Sequence, residues 1–143
     1  MNAQNSSKDL EGLLVVTVEQ AVAAPYTSCR LADAGARVIK VERPEGDFAR
    51  NYDSNALGNS AYFVWLNRGK ESIALDLKNK EDMAIFENII SKSDILIQNL
   101  APGAFERLGL DLKELRLKYP SLITCSISGF GDEGPYKNQK AYD

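Results

Sequence analysis

Four side chains placed at the ends of apolar runs could hold a ligand that carries several phosphates: Arg43, Lys78, Asn99 and Arg107. Arg43, Lys78 and Asn99 each follow a run that reads as a strand, and Arg107 lies one turn into a helix. If those strands are neighbours, all four converge on one edge. Cations there offset anionic oxygens, and the Pro102-Gly103 corner lets backbone amides approach a phosphate. Taken singly, each reads better as an ordinary solvated group at the end of an element; only as a set do they weigh evenly for a ligand. The chain contains no histidine, so the commonest general base and the commonest zinc ligand are both missing. A serine-histidine triad and a histidine-based metal site are excluded within these residues. Chemistry falls to carboxylates, amides, Lys, Arg, Tyr or a cofactor.

The elements that must position these groups alternate between strand and helix. Leu13 to Val18 is a continuous apolar, β-branched run, the pattern of a strand covered on both faces. Pro25 suits a first helical turn, the helix runs to about Ala34, and Gly35 follows as a cap. Arg37 to Glu42 is the second strand, which makes a strand-helix-strand unit. Pro44 to Ser60 is rich in Gly, Asn, Asp and Ser and reads as a long surface loop of functional character. Ala61 to Leu66 fits helix or strand, Asn67 to Glu71 is a polar turn, and Ser72 to Leu77 is the next strand.

From Asn79, Met83, Phe86, Ile89 and Ile90 repeat at helical spacing, to an end near Ser93. Asp94 to Gln98 is then a strand that runs into the Pro-Gly corner and a short helix. Strand tips that meet helix starts are where open α/β sheets bind ligands, because free amides and the helix dipole favour anions. Asp111 to Leu117 forms another short helix stopped by Pro120, and Leu122 to Ser128 the last buried strand. The fold class is therefore α/β, a Rossmann-like, doubly wound and mostly parallel sheet. Val15, Val16, Ile39, Val41, Leu96, Ile97, Ile123 and Cys125 are expected to be buried in its strands.

At 143 residues and 44% hydrophobic, the chain has the size of one domain with one core. Residues 1–9 read as a polar tail and residues 10–143 as the folded part. Seventeen basic and twenty acidic side chains leave a net charge of −3 without blocks of one sign, so nucleic acid is not the expected partner. The N-terminus lacks the apolar core of a signal peptide, and no stretch approaches the ~20 apolar residues of a membrane span. The expectation is a cytoplasmic, soluble protein with no membrane partner. Cys29 and Cys125 lack CxxC spacing and are expected to be buried, inert thiols.

Two dinucleotide signals fail on context. Gly129-Phe130-Gly131-Asp132-Glu133-Gly134 matches GxGxxG after a strand, but Pro135 stands where a helix should open and two carboxylates would face the pyrophosphate. Glu42 is placed like a ribose ligand, yet the turn from Gln20 to Pro25 has no glycine.

From about Leu10 onward the chain resembles family III CoA-transferases of the CaiB/BaiF type. The resemblance is carried by Leu31-Ala32-Asp33-Ala34-Gly35-Ala36-Arg37-Val38-Ile39-Lys40-Val41-Glu42-Arg43-Pro44, then Gly46-Asp47, then the segment from Asn67 to Lys78. It continues with Gln98-Asn99-Leu100-Ala101-Pro102-Gly103, Arg107-Leu108-Gly109, Pro120, Ser128-Gly129-Phe130-Gly131, Gly134-Pro135-Tyr136 and Ala141-Tyr142-Asp143. In this order and spacing these landmarks are highly specific. The GxGxxG match becomes a fragment of the family's glycine-rich turn.

The resemblance implies coenzyme A or acyl-CoA as a substrate, with no tightly bound cofactor and no metal. It carries CoA contacts onto Val22, Ala23, Arg43, Leu75, Lys78, Asn99, Leu100, Ala101, Arg107, Lys140 and Tyr142, and Gln20 stands where some relatives have histidine. The family nucleophile is an aspartate beyond Asp143, so no catalytic residue is assigned within this chain and Asp143 is a candidate supporting carboxylate. That carboxylate attacks an acyl-CoA thioester to give a mixed anhydride, and CoA then passes through an enzyme thioester to an acceptor carboxylate.

The implied whole is an interlocked homodimer, these residues being the N-terminal part of its large domain and inactive on their own. The segments Glu19 to Pro25 and Phe63 to Asn67 resemble the branch acting on mesaconyl, itaconate, citramalate or succinyl substrates, so the expected acceptor is a short dicarboxylate. Acyl-CoA racemases of the same fold place histidine where Tyr142 stands, which disfavours that activity here. A non-catalytic domain that holds CoA or a nucleotide is the alternative from another class.

Overall fold

The computed structural model describes residues 8–141. Its frame is a five-stranded sheet in the order β3-β2-β1-β4-β5, with every pairing parallel. The strands are β1 (Leu14–Val18), β2 (Arg37–Glu42), β3 (Lys70–Ala74), β4 (Ile95–Gln98) and β5 (Ile123–Ser126). The α/β expectation holds, and strand order reverses between β1 and β4. Open sheets bind ligands at such a switch point, beyond the strands' carboxyl ends.

Parallel strands need crossovers, and these cover both faces. Helix α1 (Ala23–Asp33) contributes Ala24 to a cluster with Val15, Val38 and Ile97. On the opposite face, α3 (Lys80–Ile90), α4 (Ala104–Arg107) and α5 (Leu112–Lys118) pack Phe86, Ile90, Phe105 and Leu115 against Val16, Val18, Val41 and Leu96. Side-chain alternation along β1 thus feeds two apolar layers, which is why its sequence is continuously hydrophobic. Capping defines the helix starts: Asn79 accepts from the Glu81 and Asp82 amides, and Asp111 from those of Lys113 and Glu114.

The ambiguous segment after the long loop is a helix, α2 (Ala61–Asn67), because Ser60 caps it through the Phe63 amide and Asp53 accepts from the Ala61 amide. The loop itself is built: Phe48–Asn51 forms a 3-10 turn, and the Ala56 and Asn59 backbones bridge. No described helix is long and apolar enough to cross a membrane.

Several expectations need correction. The third strand starts at Lys70 and ends at Ala74, so the expected polar turn supplies its first two residues. The pairing explains this: Glu71 meets Arg37 in a two-pronged ion pair at 2.7 and 2.9 Å, while Lys70 turns inward. Charges that looked like a turn are a strand satisfied by its neighbours. The last strand is not buried. Ile123 is 62% exposed and Cys125 is half-buried, because β5 is an edge strand flanked only by β4 among the described residues. Ile39 is also only half-buried. Val15, Val16, Val41, Leu96 and Ile97 are buried as expected. Cys29 is buried, and burial pushes its thiol up, away from the reactive thiolate. The segment from Gly129 to Gly134 opens no helix, which removes the nucleotide-loop reading.

Candidate functional site

The carboxyl ends of β1, β2 and β3 open into a cleft of about 270 Å³. Its lining includes Val18, Val41, Leu75, Leu77, Leu100 and Leu108, with Gln20, Arg43 and Lys78 and the carboxylates Glu19, Glu42, Glu45, Asp47 and Asp76 as polar members. Arg43 and Lys78 are exposed and enter no ion pair with the described residues. A trough with an apolar floor and two uncommitted cations suits an elongated ligand with anionic and greasy parts.

The turn from β1 to α1 forms one wall, and side chains from two other elements fix it. Asn99, just after β4, accepts from the Gln20 amide and donates to the Gln20 carbonyl, both at 2.9 Å, so it ties the two strands across the switch point. Asp47, from the loop after β2, accepts the Ala21 amide at 3.2 Å. Ala21 has φ of +63°, a left-handed conformation that costs a residue with a Cβ roughly 1–2 kcal/mol. Helix α1 then begins at Ala23, after Val22, without a side-chain cap and without an acidic residue in its first turn, a start whose dipole favours an anion.

Beneath this wall lies a polar layer that the sequence reading missed. Lys40 and Asp47 pair at 2.7 Å with side chains 1% and 0% exposed, and Lys70 and Glu19 pair at 2.6 Å with side chains 2% and 0% exposed. Asn67 joins the two by accepting from both ammonium groups, at 3.0 and 3.1 Å, and Ser28 donates to Glu19. Burial pushes the Lys70 ammonium down, and Glu19 opposes that.

Glu42 accepts from Arg50 at 2.6 and 2.9 Å, from the Ser72 hydroxyl at 2.7 Å and from the Asp47 amide at 2.9 Å. Burial alone would raise the Glu42 carboxyl, but the Arg50, Ser72 and Asp47 hydrogen bonds outweigh it and bring it down to about 2. With those partners Glu42 is no ribose ligand. The Arg50 guanidinium lies 3.9 Å from the Phe63 ring centroid, and Gly46 (φ +81°) lets the loop pass Arg50, since an added Cβ would meet its Cδ at 3.0 Å. The one available sequence signal was charge in strand β2: Lys40 and Glu42 alternate with Ile39 and Val41 on a strand that must be covered on both faces.

The expected contacts separate into groups. Gln20, Arg43, Leu75, Lys78 and Leu100 line the cleft. Leu100 and Ala101 also line a second hollow of about 270 Å³ with Gln98, Ser126, Ser128 and Lys137. Val22 and Ala23 open α1, and the Asn99 amide is occupied by the turn. Arg107 is exposed and reaches back to the Pro102 carbonyl at 3.4 Å, over the corner where Gly103 (φ +70°) admits it. It lines neither cavity, nor does the exposed Lys140. The expected convergence of four residues is not seen: Arg43 and Lys78 line the cleft, Asn99 is taken up by the turn, and the corner that carries Arg107 borders the second hollow beside Ser126 and Ser128. Tyr142 and Asp143 lie outside the described residues.

The model of CoA-transferase family III matches residues 10–143. An acetyl-CoA:oxalate CoA-transferase from Acetobacter aceti is 44% identical over 134 residues, covering 93% of this chain and 34% of the relative. A succinate-glutarate CoA-transferase from Agrobacterium fabrum is 38% identical, covering 97% of this chain and 37% of the relative. Among solved structures, a CaiB/BaiF family protein from Brucella suis superposes with a TM-score of 0.88 at 39% identity, over 96% of this chain and 38% of its own. The chain thus spans little more than a third of the length of these relatives.

Proposed function

The chain belongs to CoA-transferase family III, and from that premise we propose that the full-length protein moves CoA between an acyl-CoA and a short dicarboxylic acid. The observation that carries this reading is the cleft beside Gln20, where uncommitted Arg43 and Lys78 border an apolar trough. CoA has the matching pattern of phosphates joined to a pantetheine arm. In this reading Arg43 and Lys78 meet the phosphates, and Arg107 and Lys140 add positive charge from the corner side. Leu75, Leu100 and Ala101 flank the arm, and Val22 and Ala23 present the open start of α1. Asn99 holds the turn against which the ligand rests, and Tyr142 closes the set. The relatives named for oxalate and glutarate support a dicarboxylate acceptor.

An aspartate beyond Asp143 carries the acyl group. Its oxygen attacks the thioester carbonyl, the C–S bond breaks, and CoA leaves as a thiolate while a mixed anhydride remains. The thiolate attacks the enzyme's acyl carbon and expels the donor acid, and the acceptor carboxylate repeats the sequence in reverse. The protein works as a cytoplasmic homodimer, and residues 1–143 alone do not turn over.

The test is an assay of the full-length protein beside residues 1–143, with acetyl-CoA and succinyl-CoA as donors and oxalate, glutarate, malate, mesaconate and itaconate as acceptors. Intact-mass measurement follows the covalent intermediate. Turnover by residues 1–143 would overturn the placement of the nucleophile, and CoA binding without turnover by either would favour a binding domain.

A further inference from the structure

Asp47 is a buried carboxylate that grips the wall of the cleft while it caps the 3-10 turn at Phe48–Asn51 and pairs with Lys40. Its Oδ1 accepts from the Ala21 amide at 3.2 Å and the Ala49 amide at 2.9 Å, and its Oδ2 takes the Lys40 ammonium at 2.7 Å. Ala21 keeps its left-handed φ of +63° with a Cβ in place, so the surroundings must hold it there. Its neighbour Gln20 is held through both backbone groups by Asn99. Two successive residues at the switch point are therefore gripped from opposite sides by β4 and by the loop after β2. The grip leaves the Gln20 side chain on the cleft, without a hydrogen-bond partner among the described residues. It also sets the direction in which the uncapped amides of α1 emerge.

We infer that Asp47 is a positioning residue for the transfer reaction, holding Ala21 left-handed so that the Gln20 side chain and the start of α1 meet a bound acyl-CoA in fixed register. This rests on the CoA-transferase reading. Lys40 is the buried ammonium partner of the Asp47 carboxylate, and a carboxylate is the acceptor that can take the Ala21 and Ala49 amides and the ammonium together.

The test compares two double variants of the full-length protein, Lys40→Met/Asp47→Asn and Lys40→Met/Asp47→Leu. Both remove the ion pair, so neither strands a buried charge, and only Asn keeps an oxygen for the Ala21 amide. The Leu variant is expected to show a kcat at least ~10-fold below the Asn variant, with the KM for acyl-CoA within ~3-fold, because orientation and not binding is lost. Adding Ala21→Gly to the Leu variant should recover at least ~3-fold of kcat, since glycine takes the left-handed conformation without the Cβ penalty. Residue-resolved hydrogen exchange should be faster at Gln20, Ala21 and Val22 in the Leu variant, with β1 and β2 unchanged.

Equal kcat in the two variants, or a loss that glycine does not relieve while turn exchange stays the same, would overturn the inference. A wild-type protein without transferase activity would sink the functional reading alone, and hydrogen exchange would still decide whether Asp47 holds the turn. If the Leu variant does not fold, the wild type decides. Its Ala21 amide must exchange at least ~10-fold slower than the uncapped Ala23 amide, and equal exchange refutes the hold.

Discussion

Replacing Glu42 by Gln removes one charge at constant shape from a buried carboxylate with several donors around it. Four donor hydrogens converge on it: two from Arg50, one from the Ser72 hydroxyl and one from the Asp47 amide. Together they hold the carboxyl at about 2, against an ordinary value of 4.5. At 1.36 kcal/mol per unit that shift contributes roughly 3 kcal/mol of stability at neutral pH. The Arg50 side chain is 44% exposed, so solvent screens its share and roughly 2–3 kcal/mol is the better expectation. Because the folded value lies below the unfolded one, the unfolded chain binds the extra proton between pH 4.5 and 2. The contribution is complete above that window and disappears as pH falls through it.

Urea unfolding of wild type and Glu42→Gln, followed by circular dichroism at pH 7, 5, 4 and 3, measures this. The gap in stability should be largest at pH 7 and 5 and shrink at pH 4 and 3. A gap that is absent at pH 7, or that stays constant down to pH 3, would show that the cluster around Glu42 does not depress its carboxyl.

In calorimetric titration of the full-length protein with CoA, Arg43→Ala and Lys78→Ala should each weaken binding by roughly 1–2 kcal/mol, with a smaller effect at high salt; unchanged affinity for both would move the ligand out of the cleft. Asn99→Ala leaves the Gln20 amide and carbonyl without their partner, and thermal or urea unfolding should show a loss of roughly 1–3 kcal/mol. Phe86→Ala empties the centre of the layer between α3 and the sheet and should cost about 3–5 kcal/mol by the same measurement; a loss under about 1 kcal/mol would mean that the layer is not packed as described.

Much of the frame was legible from residue order. Leu14 to Val18 could only be a strand covered on both faces, the Met83, Phe86 and Ile90 spacing could only be one face of a helix, and Pro25, Pro120 and Asn79 marked helix limits by chemistry confined to neighbouring residues. Arg43 and Lys78 could be singled out because they stand where strands end. Local pattern does not say which strand lies at an edge, so Ile123 and Cys125 were expected to be buried when β5 in fact has one neighbour among the described strands.

What only the tertiary structure decided is the polar layer under the site. Glu19 meets Lys70 across 51 residues, Lys40 meets Asn67 across 27, and Asn99 reaches Gln20 across 79. A charge is an exposed surface group until its partner is known, since burial without one is prohibitive. The sequence by itself therefore determined the alternation of elements and the family, because both follow from nearest-neighbour patterning and ordered landmarks. Whether Lys40, Glu42 and Asp47 are surface charges or the buried frame of a strained turn depends on which strands pair. That pairing is a long-range property, decided when the parallel strands align and bring oppositely charged side chains within hydrogen-bond reach.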